Sequence, residues 1–235
     1  MEIYEKKLTV KSDYAAMNGY LRPSSMFAIM QDAAAADAAL RGAGDDVTAH
    51  RGILWMVVHM RAQVISLPAY GDDISVVTWP GGVKHGLFTR FYQLLDHRGS
   101  PVVSASGSWV LVDAATRSLV RAADLVLPQV ITGREIDLPR RIKVPELPNK
   151  VSFTARYSDA DINGHMNNAK YLDAAEDLLP RDYLMTHTLR WADADYLSEV
   201  LPGETLSLGW GEKDGDWYFQ GETDSPCFRI KLGYR

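Results

Sequence analysis

Cysteine is almost absent from this chain: Cys227 is the single one in 235 residues, so neither a disulfide framework nor a cysteine-built metal site is available. That usage fits a reducing compartment, and the expected location is the cytoplasm. The opening Met-Glu-Ile-Tyr-Glu-Lys-Lys lacks the apolar stretch of a secretory leader. No run approaches the ~18 apolar residues of a membrane span, so no membrane partner is expected. Excess positive charge is missing too. With 25 basic against 30 acidic residues and a net charge of -5, nucleic acid is a poor candidate for the main partner, because phosphates select a basic footprint. The 6 histidines show no His-x-x-x-His spacing, so neither zinc nor any other cofactor is expected. There is also no Gly-x-Ser-x-Gly elbow and no phosphate-binding glycine loop, which removes the α/β-hydrolase, P-loop and dinucleotide-binding folds.

What remains is ordinary globular composition, 46% hydrophobic, enough for one large domain or two small ones. Residues 4–10 alternate like a strand. Residues 23–41 form an Ala-rich helical stretch that Gly42 and Gly44 can end. Strand-like runs follow at 53–65, 73–79, 87–95 and 101–112, rich in β-branched and aromatic residues and separated by turn signals that include Pro80 to Gly82. From Thr132 to Lys150, with Pro139, Pro145 and Pro148 and little periodicity, the chain reads as a linker, and a second unit begins at Val151.

That second unit repeats the first. Asn18-Gly19 aligns with Asn163-Gly164, which sets Gln31-Asp32 opposite Glu176-Asp177; further on, residues 67–76 align with 199–208. In this register Asp161 faces Ala16, His165 faces Tyr20 and Glu199 faces Leu67, while Asn163 keeps its counterpart Asn18. The ionisable set belongs to the second copy alone. A turn or cap role would ask for chemically similar residues in both copies, so the asymmetry favours a functional reading of Asp161, His165 and Glu199.

The densest constellation is Asp161-Ile-Asn163-Gly-His165, just before a helical pattern in which Asn167 and Asn168 are N-cap candidates. A carboxylate and an imidazole beside free backbone N–H groups are what acyl transfer needs: a nucleophile or base, and donors for the developing oxyanion. The backbone N–H groups of Asn167 and Asn168 are the oxyanion candidates. Blander readings hold elsewhere. Asn163 suits a turn because Asn-Gly tolerates positive φ; Asp159 suits a cap; Cys227, without a local base, suits an inert strand. Met26, Ile29 and Met30 are ordinary core residues or the wall of an adaptable apolar pocket.

Asp161-Ile-Asn163-Gly-His165-Met-Asn167-Asn168-Ala-Lys170-Tyr171 resembles the signature of the acyl-ACP thioesterases, plant and bacterial, within the wider hotdog superfamily. Gln31-Asp32-Ala33-Ala34, Thr78-Trp79-Pro80, Arg90-x-Tyr92, residues 108–113 and Tyr196-x-x-Glu199 are similar to other parts of that pattern. The resemblance implies an α+β fold, a double hotdog of two modules that each wrap an antiparallel sheet around a long helix. Residues 1–131 would form a non-catalytic module whose Met26, Ile29 and Met30 line the acyl-chain pocket, 132–150 the linker, and 151–235 the catalytic module. It also implies catalytic roles for Asp161, Asn163, His165 and Glu199. The cysteine that follows the glutamate in plant members is Val200 here, which excludes a thiol nucleophile at that place.

The implied reaction is hydrolysis of fatty acyl thioesters on the phosphopantetheine arm of acyl carrier protein, releasing free fatty acid in fatty acid biosynthesis, with acyl-CoA as the alternative substrate. Asp161 would either attack the carbonyl or act with Glu199 on water. Hotdog hydratases place their histidine five residues after the aspartate rather than four, and a non-catalytic acyl-binding regulator would need a DNA-binding element, so both are weaker matches. Carrier protein is acidic, and the candidate docking cations are among Lys84, His85, Arg134, Arg140, Arg141, Lys143 and Lys150, with Arg140, Arg141 and Lys143 first and the Lys84–His85 loop second. Pairing of two copies stays open.

Overall fold

The expected first-half segments do form strands, and their pairing makes the duplication visible. The computed structural model describes residues 3–44, 48, 50–121 and 134–235. Its first half holds β1 (Tyr4–Thr9), α1 (Pro23–Leu40), β2 (Ile53–Val64), β3 (Asp73–Lys84), β4 (Leu87–Leu95), β5 (Pro101–Asp113) and β6 (Leu119–Val120). The second holds β7 (Asn149–Thr154), α2 (Lys170–Glu176), α3 (Arg181–Thr186), β8 (Leu189–Tyr196), β9 (Thr205–Lys213), β10 (Asp216–Glu222) and β11 (Pro226–Tyr234). Every pairing is antiparallel. One sheet results, ordered β1-β3-β4-β5-β2-β8-β11-β10-β9-β7, with β6 beside β5. Outward from the β2–β8 seam the halves match: β5, β4, β3, β1 on one side and β11, β10, β9, β7 on the other.

Pro23 opens α1 with a preset φ, and the Ala-rich run propagates it. Met26, Phe27, Ile29, Met30, Ala33 and Ala34 point into the core, and the helix packs on β3 and against α2. Gly42, at φ +72, ends it: its N–H reaches Ala39 O and the Ala43 N–H reaches Ala38 O, the left-handed cap that glycine favours. Buried Asp37 on this helix ion-pairs with Arg90 on β4 at 2.6 Å and with Arg41 at 2.8 Å. The Arg90-x-Tyr92 element therefore serves to clamp helix to sheet.

Two expectations are corrected. The second helix is not long: α2 has 7 residues against 18 in α1, because Pro180 cannot continue a helix and instead starts α3. Pro80 to Gly82 is not a separator but part of β3, where the register shifts between Pro80 and Gly82. A bulge tolerates the missing proline donor, and a side chain at Gly81 would collide with the Phe91 ring. Among the described residues no helix is long and apolar enough to cross a membrane.

The expected linker is irregular, and its first two residues lie outside the described ones, but the rest is a packed strap. Ile136 and Leu138 rest on Val77, Trp79 and Phe91 of β3 and β4. The Asp137 carbonyl accepts Ser106 Oγ of β5 at 2.6 Å. Over the seam, the Ile142 N–H donates to Asp195 Oδ2 at 2.7 Å, and further on Leu147 and Pro148 lie on Gly209 and Gly211 of β9. Asp195, 1% exposed, also meets His59 Nδ1 across the seam at 2.7 Å. One buried carboxylate thus ties β2, β8 and the strap together.

Removing that carboxylate strands the buried Ile142 N–H and leaves the half-buried His59 ring without its partner, so Asp195→Ala is expected to cost roughly 1–3 kcal/mol. Urea unfolding measures the loss, and limited proteolysis is expected to cut within the strap of the variant before it cuts the parent.

Candidate active site

The turn that carries the ionisable residues is built by its own hydrogen bonds. Asp161 N–H donates to His165 O at 3.0 Å, Gly164 N–H to Asp161 O at 3.1 Å, and Asn163 N–H to Asp161 Oδ1 at 2.8 Å. Gly164 takes φ +85, which explains the Asn-Gly pair. The Met166 N–H then reaches Val200 O at 2.8 Å, pinning the turn to the loop after β8. That bond brings Glu199, distant in sequence, beside His165.

His165 Nε2 lies 3.2 Å from Glu199 Oε1, and His165 Nδ1 lies 3.9 Å from Asp161 Oδ1. The side chains are 16%, 25% and 20% exposed for His165, Glu199 and Asp161 respectively, so solvent screens them weakly while a ligand can still reach them. The His165–Glu199 contact is close but misaligned, and neither atom makes a hydrogen bond. It is an electrostatic contact that leaves donor and acceptor capacity open. Tyr171, on α2, faces the same carboxylates: burial first, then the charges of Cys227, Glu199 and Asp161, push its phenol above the ordinary range. It stays neutral there.

The structure therefore gathers Asp161, His165 and Glu199, as the repeat asymmetry leads one to expect. Asn163 is nearby but exposed; its backbone N–H serves the turn. Of the two oxyanion candidates, the Asn167 N–H is engaged by Asp159 O at 2.8 Å. The Asn168 N–H makes no recorded bond among the described residues. Asn167 closes the turn before the helix, its Oδ1 accepting the Ala169 N–H at 2.9 Å; the N-cap is Ala169 and has no side-chain cap. Met26, Ile29 and Met30 are core residues, 0%, 7% and 0% exposed, sharing one cluster with Tyr171, Leu172 and Val200. Among the described residues no group of three His, Cys, Asp or Glu is placed to hold a metal ion.

Two first-half residues reach this site. Asn168 Nδ2 donates to Gln31 Oε1 of α1 at 3.1 Å, and Arg117, between β5 and β6, places a guanidinium nitrogen 3.6 Å from Glu199 Oε1. Gln31 belongs to the Gln31-Asp32-Ala33-Ala34 element already quoted, whereas Arg117 belongs to no spacing pattern and its partner lies far along the chain, so nothing in the local sequence points to it.

The counterpart in the first half repeats the backbone and lacks the ionisable side chains. Ala16 N–H reaches Tyr20 O, Gly19 N–H reaches Ala16 O, and Leu21 N–H reaches Pro68 O, matching the three bonds around Asp161, His165 and Val200. Gly19 sits at φ +83. Asn18 is structural here, its Nδ2 holding Leu184 O of α3 at 2.9 Å. Where α1 presents the Gln31 amide, α2 presents Glu176, which accepts the Tyr234 hydroxyl at 2.7 Å. Burial pushes this carboxyl from 4.5 up to about 7, against the lowering effect of Tyr234 and of Arg22; nearby Asp173 and Asp177 raise it further.

Comparison with known proteins bears on the family and the fold. The acyl-ACP thioesterase N-terminal domain profile matches residues 1–130 and the C-terminal domain profile matches residues 143–221. A palmitoyl-acyl carrier protein thioesterase from Cuphea hookeriana is 29% identical over 161 residues, 63% of this chain. The match spans only 39% of that protein's length. Among solved structures, an acyl-ACP thioesterase from Bacteroides thetaiotaomicron superposes with a TM-score of 0.87 at 23% identity, covering 99% of this chain and 98% of that one. The 12:0-ACP thioesterase from Umbellularia californica gives 0.83 at 19% identity, covering 99% and 97%. At such identity these two show the shared, hotdog-like fold.

The contrast between Gln31 and Glu176 has a measurable pH signature. A carboxyl whose folded pKa is raised favours the folded state below about 4.5 and loses that contribution as pH rises to about 7. Glu176→Gln keeps an acceptor for Tyr234 and removes the ionisation. The variant is expected to be more stable than the parent near pH 8, by on the order of 1–3 kcal/mol, with a shallower fall of Tm between about pH 5 and pH 8; thermal melts across that range check it.

Proposed function

Because the chain belongs to the acyl-ACP thioesterase family, we propose that it hydrolyses fatty acyl thioesters carried on the phosphopantetheine arm of acyl carrier protein. The observation that carries this reading is the Asp161–His165–Glu199 cluster, set in one half of a duplicated fold whose other half has Ala16, Tyr20 and Leu67 at the matching places. In this reading the fold is a double hotdog: residues 1–131 form the acyl-binding module, 132–150 the connecting strap and 151–235 the catalytic module. Buried, free Cys227 suits the reducing cytoplasm.

A thioester carbonyl is a good electrophile with a competent thiolate leaving group, so no metal is required. In one route Glu199 and His165 take a proton from water as its oxygen attacks the carbonyl carbon. Collapse of the tetrahedral species breaks the C–S bond, and the proton goes to the departing sulfur. The open acceptor on Glu199 and the 3.2 Å His165 contact support it. In the other route an Asp161 oxygen attacks the carbonyl carbon, the C–S bond breaks and the thiolate departs and takes up a proton, and water then opens the mixed anhydride to free acid and the Asp161 carboxylate. The Asn168 N–H, having no recorded partner, is the oxyanion donor, and a donor of that kind contributes roughly 10²–10³-fold. Asn163 and His165 orient Asp161 and the reacting atoms.

The acyl tail would lie along α1 at Met26, Ile29 and Met30, whose core cluster adjoins Tyr171. For the carrier protein, Arg141 and Lys143 on the strap line a cleft of about 690 Å³ together with Lys150 and Arg229. These cations offer an acidic partner a local attraction that the net charge does not.

The reading is tested by release of free acid from acyl-ACP, with acyl-CoA in parallel. Asp161→Ala and His165→Ala are each expected to lower the rate by ~10²-fold or more, while Asn18→Ala lowers stability and leaves chemistry nearly intact. A folded Asp161→Ala protein working at the parent rate would refute the mechanism.

Bulk introduced on α1 shortens the preferred chain. Each methylene displaced forfeits about 0.8 kcal/mol of burial, and overfilling costs roughly 1–3 kcal/mol. Ile29→Trp and Met26→Trp are expected to shift the product profile toward shorter acids. An unchanged profile in both folded variants places the tail elsewhere.

A further inference from the structure

Glu199 has a cationic neighbour from the other half of the chain, and the backbone that delivers it is unusual. Arg117 lies 3.6 Å from Glu199 Oε1, the same oxygen that meets His165 Nε2 at 3.2 Å. It sits at φ +57, the left-handed region that disfavours any residue with a Cβ. Among the described residues the other non-glycine positions at positive φ are His85 and Asp214. Each of those is followed by glycine in a hairpin turn, whereas Arg117 is followed by Ser118.

The turn itself does not call for a guanidinium. Asp113 Oδ1 accepts the Ala115 N–H at 3.0 Å, the Thr116 N–H at 2.7 Å and Thr116 Oγ1 at 2.9 Å. The Arg117 N–H reaches Asp113 O, and the Asp113 N–H reaches Ser118 O, both at 2.9 Å. Backbone and Asp113 hold the loop, and glycine would satisfy the φ angle. The arginine side chain has its recorded ion pair at Glu199. An anchor for the phosphate of the substrate arm is the wrong distance away, because the phosphate lies roughly 15 Å of extended chain from the reacting sulfur, while this guanidinium is in contact with the reacting cluster.

We infer that Arg117 is a positioning residue: its guanidinium fixes the Glu199 carboxylate against His165 and offsets the like charge of Asp161, so that the site holds two carboxylates around one imidazole. The inference rests on the hydrolase reading above. A strained residue is then kept where its side chain acts, and the first half completes the second half's site.

The test uses the full chain with Arg117→Gly, Arg117→Gln and Arg117→Lys, plus Glu199→Gln alone and combined with Arg117→Gln. Hydrolysis of acyl-ACP and Tm are measured for each. Arg117→Gly is expected to melt at or near the parent temperature, because relief of the strained φ offsets the freer unfolded chain. Its kcat is expected to fall about ten-fold or more, with KM moving less than about two-fold. Arg117→Gln should match it, and Arg117→Lys, which keeps the charge, should recover most of the rate. With Glu199→Gln already in place, Arg117→Gln should cause no further loss, since the arginine acts through that carboxylate. Gly and Gln variants within two-fold of the parent would overturn the inference and leave the hydrolase reading standing, as would additive losses in the double variant. A parent that does not cleave acyl-ACP would overturn both.

Discussion

The pairing of β2 with β8 is the interaction on which the remaining architecture depends. His59 stands opposite Asp195, Arg61 opposite Asp193, and Met60 and Ala62 opposite Ala194 and Ala192. Ionisable pairs thus occupy one face of the seam, and small or flexible apolar residues the other. Without that pairing each half would end in an open edge strand, a poor state for a folded chain. With it, α1 and α2 share one core and the loops of each half come within reach of the other. Gln31–Asn168, Asn18–Leu184 and Arg117–Glu199 are consequences of the seam.

Much of this was legible because turn chemistry is local. The Asn18-Gly19 and Asn163-Gly164 pairs announce left-handed glycines, and the register they set places Pro68 and Val200 at matching positions, both of which receive an N–H from the adjoining turn. The contrast of Asp161, His165 and Glu199 with Ala16, Tyr20 and Leu67 then marks which copy holds the ionisable set. What could not be read depended on distant partners. The strap shows no period because its contacts fall singly on successive strands of the sheet. Pro80 looks like a stop until Gly81 is seen to fit beneath the Phe91 ring in a bulge. The apolar pattern after Ala169 promises a long helix, yet Pro180 divides it.

The two copies also show how one backbone supports opposite electrostatics. Around His165 the carboxylates remain partly solvated, with an arginine beside one of them and donor capacity left open. Around Glu176 the carboxyl is sealed, bonded to Tyr234 and pushed to about 7. The difference follows from burial, since desolvation favours the neutral form of an acid wherever no strong cation compensates.

The strap that binds the halves into one chain has a genetic consequence. In a pair of identical subunits every substitution appears twice, so a residue suited to one cleft must be tolerated in its twin. Here residue 31 can be an amide while residue 176 is an acid, and residue 20 can be a tyrosine while residue 165 is a histidine. Each cleft answers to its own selection, and the one without the ionisable set is free to drift toward rigidity or toward a binding role of its own.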